Sequence, residues 1–307
     1  MKIYVSKIKE SWIVDRIRDE WYKTNKNIST KYLRNADIVW VLAPWLWKKI
    51  PQSQLKQKKV LCTYHHINLD SADEVNNFHE LDKYVHEYHA ISRKTESDLQ
   101  KLTNKKVTTI PLWVNTDNWF SIEDKSQLRK KYNFKEEDYL VGSFQRDTEG
   151  KDLVSPKLIK GPDIFLSLVI NIYKSNKNLK VVLTGTRRQY LVNELKKNKI
   201  PYVYFEMLKI NEINEMYNLL DLYLVTSRIE GGPQAIVECG IIKTPIISTN
   251  VGIAPEILSP DSLFDISKNN FENAVPDVEF AYENSNKLTI PNVTPVYIDM
   301  FKSFYED

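Results

Sequence analysis

Cysteine is nearly absent from this 307-residue chain: Cys62 and Cys239 are the only two. Two thiols are too few for a disulfide framework and too widely separated for a zinc knuckle, so a reducing compartment is expected. Long apolar runs are missing as well. The longest, residues 38 to 47, is about half the ~20 residues a membrane-spanning helix needs, and MKIYVSKIKESW lacks the apolar core of a signal peptide. The chain therefore reads as soluble and cytoplasmic. Charge of one sign is lacking too, since the net value is +3, which argues against a dedicated nucleic-acid binder. Glycine is absent before position 142 and tryptophan after position 119.

What is present divides at that last boundary. With 42% hydrophobic and 27% charged residues the chain is globular, and its length suits two domains. All eight glycines lie between Gly142 and Gly252, and all seven tryptophans between Trp12 and Trp119. The charged stretch 121 to 138 separates them. Residues 1 to 60 hold fourteen Lys and Arg against five Asp and Glu, so this segment is strongly basic and the remainder acidic. Domains are expected at 1–120 and 121–293, with a terminal helix at 294–307 packing back on the first.

The second half alternates β-branched runs with helical patterns: strands at 139–144, 180–185, 202–206, 221–226 and 245–249, and helices at 162–175, 189–198, 210–220 and 233–242. Ile164, Phe165, Leu168, Val169 and Ile172 share one helix face, while the strands are continuous apolar runs of the kind buried on both sides. This pattern predicts a doubly wound parallel sheet, which binds ligands beyond the carboxyl ends of its strands. The first half alternates less clearly, with strands at 2–6, 37–42, 59–64, 88–91 and 106–110 and helices at 10–23, 76–84 and 93–102.

Residues 226 to 240, TSRIEGGPQAIVECG, form a strand end, a Gly-Gly turn and a helix. Proline suits the first helical position, so the helix is expected to begin at Pro233, leaving the N–H groups of Gly232, Gln234 and Ala235 free. Those donors and the helix dipole favour a phosphate, which Gly231 and Gly232 would let approach the backbone. Glu230 and Glu238 would flank the anion as acceptors for sugar or ribose hydroxyls. Taken singly, Glu238 reads as a surface carboxylate on a helix and Glu230 as a turn residue, since isolated short motifs often occur by chance.

In context the sequence resembles the retaining GT-B glycosyltransferases of family 4, a group 1 family with two Glu at this spacing. HAISRKTESDLQK, IPLWVNTDNWF, YLVGSFQRD, LIKGPDIF, VVLTG and TPIISTNVGIAPEIL follow in the family's order. The resemblance implies an α/β GT-B fold of two Rossmann-like, doubly wound domains facing across a cleft. It implies a transferase that moves a sugar from a UDP-, GDP- or ADP-linked donor to a hydroxyl of a glycan or lipid-linked acceptor, without metal or cofactor. No Asp-x-Asp triplet occurs, which speaks against the other main architecture, whose donor is usually held through a metal. By resemblance Glu230 holds donor-sugar hydroxyls, Glu238 the ribose, and Lys160 the diphosphate. The family's Gly-Arg is here Gly142-Ser143, with Arg146 three residues on and an insertion, DTEGKDLVSPKL, before Lys160. Arg146 is the expected replacement, with Lys151 and Lys157 as alternatives. In CTYHHI, His65 matches a histidine that faces the donor sugar. The family's N-terminal glycine-rich loop has no counterpart, so acceptor contacts do not carry over.

The basic segment with Trp40, Trp45 and Trp47 leaves two readings open: core tryptophans with solubilising lysines, or a surface for an anionic acceptor or the inner membrane face. A non-catalytic sugar-nucleotide sensor, or a partner subunit of a transferase, is the rival from another functional class.

Overall fold

The computed structural model describes residues 1–7, 13–150, 152–268 and 271–306. Trp12, the first turn of the helix expected at 10–23, and Lys151 lie outside these. The chain forms two α/β units, one of residues 1–113 and 291–307, the other of residues 114–290.

The first unit carries β1 (Ile3–Val5), α1 (Ile13–Thr24), β2 (Ile38–Val41), α2 (Gln52–Gln57), β3 (Lys59–Tyr64), α3 (Ala72–Asp82), β4 (Glu87–Ala90), α4 (Arg93–Leu99) and β5 (Val107–Thr109). Its five strands are parallel and lie in the order β1-β2-β3-β4-β5. β2 and β4 are buried along their whole length; β2, IVWV, accordingly reads as an apolar run without alternation, whereas β4 buries Glu87 and His89 beside Tyr88 and Ala90.

The tryptophans of this half are mostly core. Trp21 of α1 meets Trp40 of β2 edge to face at 5.2 Å, and Trp113 meets Tyr297 at 5.2 Å. Tyr297 and Phe301 belong to the last helix, whose apolar face is thereby bound into this unit. Lys59 caps that helix, donating to the carbonyls of Phe304 and Tyr305, where a cation suits the negative helix end. Trp47 is also buried, whereas Trp45 is 41% exposed.

Behind the aromatic cluster runs a closed polar chain. The Trp40 indole donates to Thr63 Oγ1 (2.7 Å), which lies 2.9 Å from His89 Nδ1, and His89 Nε2 lies 2.7 Å from the Ile110 carbonyl. Every ring and hydroxyl proton is used when His89 is neutral with Nε2 protonated, so burying these groups leaves none of them unpaired.

The second unit carries α5 (Lys125–Lys131), β6 (Tyr139–Ser143), α6 (Pro162–Ser175), β7 (Leu179–Thr184), α7 (Gln189–Lys197), β8 (Tyr202–Phe205), α8 (Ile210–Leu219), β9 (Leu222–Val225), α9 (Gln234–Ile242), β10 (Ile246–Thr249), α10 (Ala254–Ile257), β11 (Leu263–Phe264) and α11 (Val278–Asn286). The strand order is β11-β10-β9-β6-β7-β8, all parallel. The winding reverses between β6 and β9, which sets a binding crevice beyond their carboxyl ends.

The boundary falls after Trp113 rather than at 120 because Val114 pairs with the end of this unit, accepting from Ile290 and donating to Leu288. Trp119 packs on Tyr217. The last helix, α12 (Ile290–Glu306), starts four residues before the expected 294 and returns to the first unit. Among the described residues no helix is long and apolar enough to cross a membrane.

Burial holds the His89 imidazolium down to about 4, against about 6.5 in an unfolded chain. The unfolded state therefore binds a proton that the folded state refuses, and stability, complete above pH ~6.5, falls as the pH drops toward 4, by about 3 kcal/mol in total. Urea unfolding at pH ~7.5 and ~4.5 should show this loss in the parent and a clearly smaller one in His89→Gln. Parallel losses in both proteins would place the acid sensitivity elsewhere.

Candidate active site

The site grows from the strand ends at the reversal point. Beyond β6, Gln145 ties three segments together: its Nε2 donates to the Lys160 carbonyl (2.9 Å), its Oε1 accepts from Ser227 Oγ (3.2 Å), and its carbonyl accepts from Arg188. Arg146 follows with its side chain exposed. The chain then makes an excursion over residues 147–157 that closes on itself. Thr148 bridges to Pro156, and the Lys157 amide returns to the Asp147 carbonyl at 2.8 Å.

The excursion is anchored by a buried ion pair, Arg188 Nε to Asp147 Oδ2 at 3.1 Å, with both side chains shielded from solvent. Burial pushes the Asp147 carboxyl up to about 6, while Arg188 and the amides of Leu191 and Tyr190 at the start of α7 pull the other way. This pair escaped the sequence analysis. Its one signal is the doubled arginine directly after β7, at a strand end where ligand-side chemistry collects.

Lys160 closes a short 3-10 turn before α6. Gly161 adopts φ +62°, and a Cβ there would lie 1.8 Å from the Thr226 carbonyl oxygen, so only glycine permits this approach to the end of β9. Thr226 Oγ1 donates to the Gly161 carbonyl at 2.9 Å, and the Arg228 amide to Ile159 at 2.8 Å. The turn thus aims Lys160 across β9, where its ammonium forms an ion pair with Glu230 Oε1. Two residues singled out for opposite ends of a donor sugar-phosphate therefore touch each other.

Lys157 is half-buried beside this pair. Burial, with Arg146 and Lys160 as cationic neighbours, lowers its ammonium below the usual lysine range, while Glu149 and Glu230 oppose that shift. Neither Arg146 nor Lys157 forms an ion pair or side-chain hydrogen bond with a described residue. Arg146, Lys157 and Lys160 thus stand against two carboxylates, Glu149 and Glu230, a cationic excess that favours an anion.

The Gly-Gly turn is fixed from behind. Gly252, in TNVGIAPEIL, has φ +50°, and a Cβ there would lie 2.2 Å from the Gly231 oxygen. The helix after the turn begins at Gln234, one residue later than expected. Pro233 has ψ 111°, which puts it outside the helix as the cap, its carbonyl taking the Ile236 amide. Proline fixes φ but leaves ψ free, so it does not by itself set the first helical residue. The amides of Gln234 and Ala235 remain without partners among the described residues.

Glu238, one turn along α9, is buried and accepts from Tyr217 Oη at 3.0 Å, so it is not a solvated surface carboxylate. Gly142 stands apart from the group. It lies inside β6 against Leu220, where a Cβ would come within 2.3 Å of the leucine side chain, and it packs the sheet rather than facing the crevice. Ser143, Gln145 and Thr226 take the lining position instead, beside Arg146, Lys160 and Arg188.

His65 belongs to the first unit, at the carboxyl end of β3. Its Nε2 lies 2.9 Å from the Leu42 carbonyl and its ring packs against Trp45. Among the described residues no three His, Cys, Asp or Glu side chains come together in a way that could hold a metal ion.

Two parallel α/β units, the second doubly wound with a basic crevice at its reversal, define the GT-B class. Residues 124–289, more than half the chain, match the family model described as glycosyl transferases group 1, and the chain belongs to that family. No curated protein matches it by sequence. Among solved structures it is similar to HepE of Anabaena in complex with UDP, with TM-score 0.74 at 12% identity over 98% of this chain and 99% of that one. HepE has also been solved with UDP-glucose. Sucrose-phosphate synthase of Thermosynechococcus elongatus is similar with TM-score 0.71 at 11% identity, covering 98% of this chain and 81% of that one. A glycosyltransferase of Rickettsia africae gives TM-score 0.64 at 17% identity, covering 98% and 84%. At these identities the likeness is one of fold.

The contact of Gly161 with β9 makes a direct prediction. Gly161→Ala should cost at least ~2 kcal/mol, combining left-handed backbone strain with a steric clash, and lower the urea midpoint accordingly. Unchanged stability would mean that this approach does not hold the Lys160 turn.

Proposed function

We propose that the protein transfers a sugar, with retention at the anomeric carbon, from a nucleotide-diphosphate sugar to a hydroxyl of a glycan or lipid-linked acceptor. The observation that carries this reading is the Lys160–Glu230 ion pair beside Arg146 and Lys157, at the reversal of the sheet and beside the free amides of α9.

A diphosphate entering this cluster takes Lys160 away from Glu230 and frees the carboxylate for sugar hydroxyls. Glu238, oriented by Tyr217, takes the ribose hydroxyls. As the anomeric C–O bond breaks, negative charge grows on the leaving diphosphate, and Lys160, Lys157, Arg146 and the Gln234 and Ala235 amides stabilise it. Each well-placed donor contributes on the order of 3–4 kcal/mol in such sites. The acceptor hydroxyl attacks on the face the diphosphate leaves; a new C–O bond forms, and the hydroxyl proton passes to a departing phosphate oxygen. No protein nucleophile and no metal take part. Glu230 positions, and His65 faces the donor sugar. The setting is cytoplasmic, with the basic first 60 residues available to an anionic acceptor or the inner membrane face.

A thermal-shift panel of UDP-, GDP- and ADP-sugars tests this, because a ligand at 100 times its Kd adds about 2.7 kcal/mol, several degrees for a domain of this size. One nucleotide class should raise Tm, and Glu238→Ala should abolish the rise. No shift with any of them would sink the reading. The product's anomeric configuration by NMR tests retention, inversion being the contrary result.

Lys157→Ala should weaken the diphosphate roughly tenfold, the worth of one charge-assisted contact, and leave the free nucleoside unaffected. A bound diphosphate raises the Lys157 ammonium back toward its usual range. Affinity should therefore hold at lower pH and fall as the pH rises through the depressed lysine value, and the variant should lack this fall. A pH profile of Kd by calorimetry decides.

A further inference from the structure

We infer that Trp45 is the platform on which a pyranose ring of the acceptor stacks, in the first unit; the inference rests on the transferase reading above. Five other described tryptophans, Trp21, Trp40, Trp47, Trp113 and Trp119, are at most 4% exposed, whereas Trp45 is 41% exposed. Its position follows from the 3-10 turn of residues 44–49. Leu46 and Trp47 point inward and are buried, and the threefold period puts Trp45 and Lys48 together on the outer side.

The outward ring is braced. His65 packs against it with ring centroids 5.8 Å apart, and the His65 ring is itself fixed by the Leu42 carbonyl at 2.9 Å. The indole N–H of Trp45 bonds to no described residue. The pair stands where β2 and β3 end, the edge of a parallel sheet at which such folds receive ligands.

A flat aromatic face held rigid, with a polar edge and an imidazole beside it, suits a ligand having an apolar face rimmed by hydroxyls. A pyranose has that form: its axial C–H groups make one face, and its equatorial hydroxyls lie in reach of donors at the rim. Rigidity matters because a ring already fixed loses little freedom on binding. The neighbouring charge argues against a lipid surface as the occupant. Lys48, which shares the outer side of the turn, is turned away to Glu80 (3.1 Å) and over the Trp47 ring, so it is not presented with Trp45 as a basic anchor.

The test titrates methyl α- and β-pyranosides of glucose, galactose and N-acetylglucosamine against the full chain by saturation-transfer NMR, with UDP thermal shift on the same samples. The parent should bind at least one pyranoside through its ring C–H protons. Trp45→Ala should weaken that binding about tenfold and Trp45→Phe far less, with melting temperature and UDP response unchanged. Equal binding by the parent and Trp45→Ala overturns the inference, as does a parent that binds no pyranoside. Sedimentation with phosphatidylglycerol vesicles that depends on Trp45, without pyranoside binding, also overturns it in favour of a membrane contact. Loss of the UDP shift in the parent would strike the donor reading instead, because Trp45 and the nucleotide cluster belong to different units and are read separately.

Discussion

The candidate site depends on one close approach of backbone to backbone, that of Gly161 to Thr226. It lets a turn after an irregular excursion lie flush against the end of β9 and so brings Lys160 to Glu230, seventy positions away in sequence. Gly252 does the same from the other side, supporting the Gly231 carbonyl. The two contacts work because a missing Cβ is the only way two main chains can approach so closely. Charged groups are then held in place by peptide geometry rather than by their own flexible side chains, the condition under which an electrostatic site can be preorganised.

The ion pair at the centre has a second consequence. A half-buried lysine and glutamate would each be costly to leave desolvated and alone. Paired with each other, they satisfy that requirement until a stronger anion competes for the lysine. Arg146 and Lys157 make the local balance positive, so the competition favours an anion of high charge density. The buried Arg188–Asp147 pair stands behind them and holds the excursion in register through Gln145 and α7. The same energetic logic holds in the first unit, where the Trp40–Thr63–His89–Ile110 chain gives each of its own polar atoms a partner inside an aromatic core.

Much of this was legible in the sequence because it depends on periodicity. The helix over 162–175 and the strand over 59–64 fall where their patterns put them, since a strand buried on both faces and a helix with one apolar face leave different spacings of Val, Ile and Leu. The Glu230–Glu238 spacing and the Gly-Gly turn were expected after a strand, and they follow β9, at the reversal of the sheet. The limit shows at Pro233, whose fixed φ said nothing of its ψ, and at Gly142, which the pattern places in a strand but whose close packing on Leu220 no spacing foretells.

The sequence by itself determined which segments become strands and helices, that the second sheet is parallel, and that Glu230 follows a strand while Glu238 lies in the next helix, because these follow from local propensity and spacing. Tertiary structure alone decided that Lys160 meets Glu230, that Arg188 is buried on Asp147, that Tyr217 holds Glu238, and that Trp45 faces outward while Trp47 turns in. Those are contacts between residues far apart in the chain or differences between chemically identical neighbours. No one-dimensional pattern encodes them, since each depends on which surfaces the packed sheet leaves free.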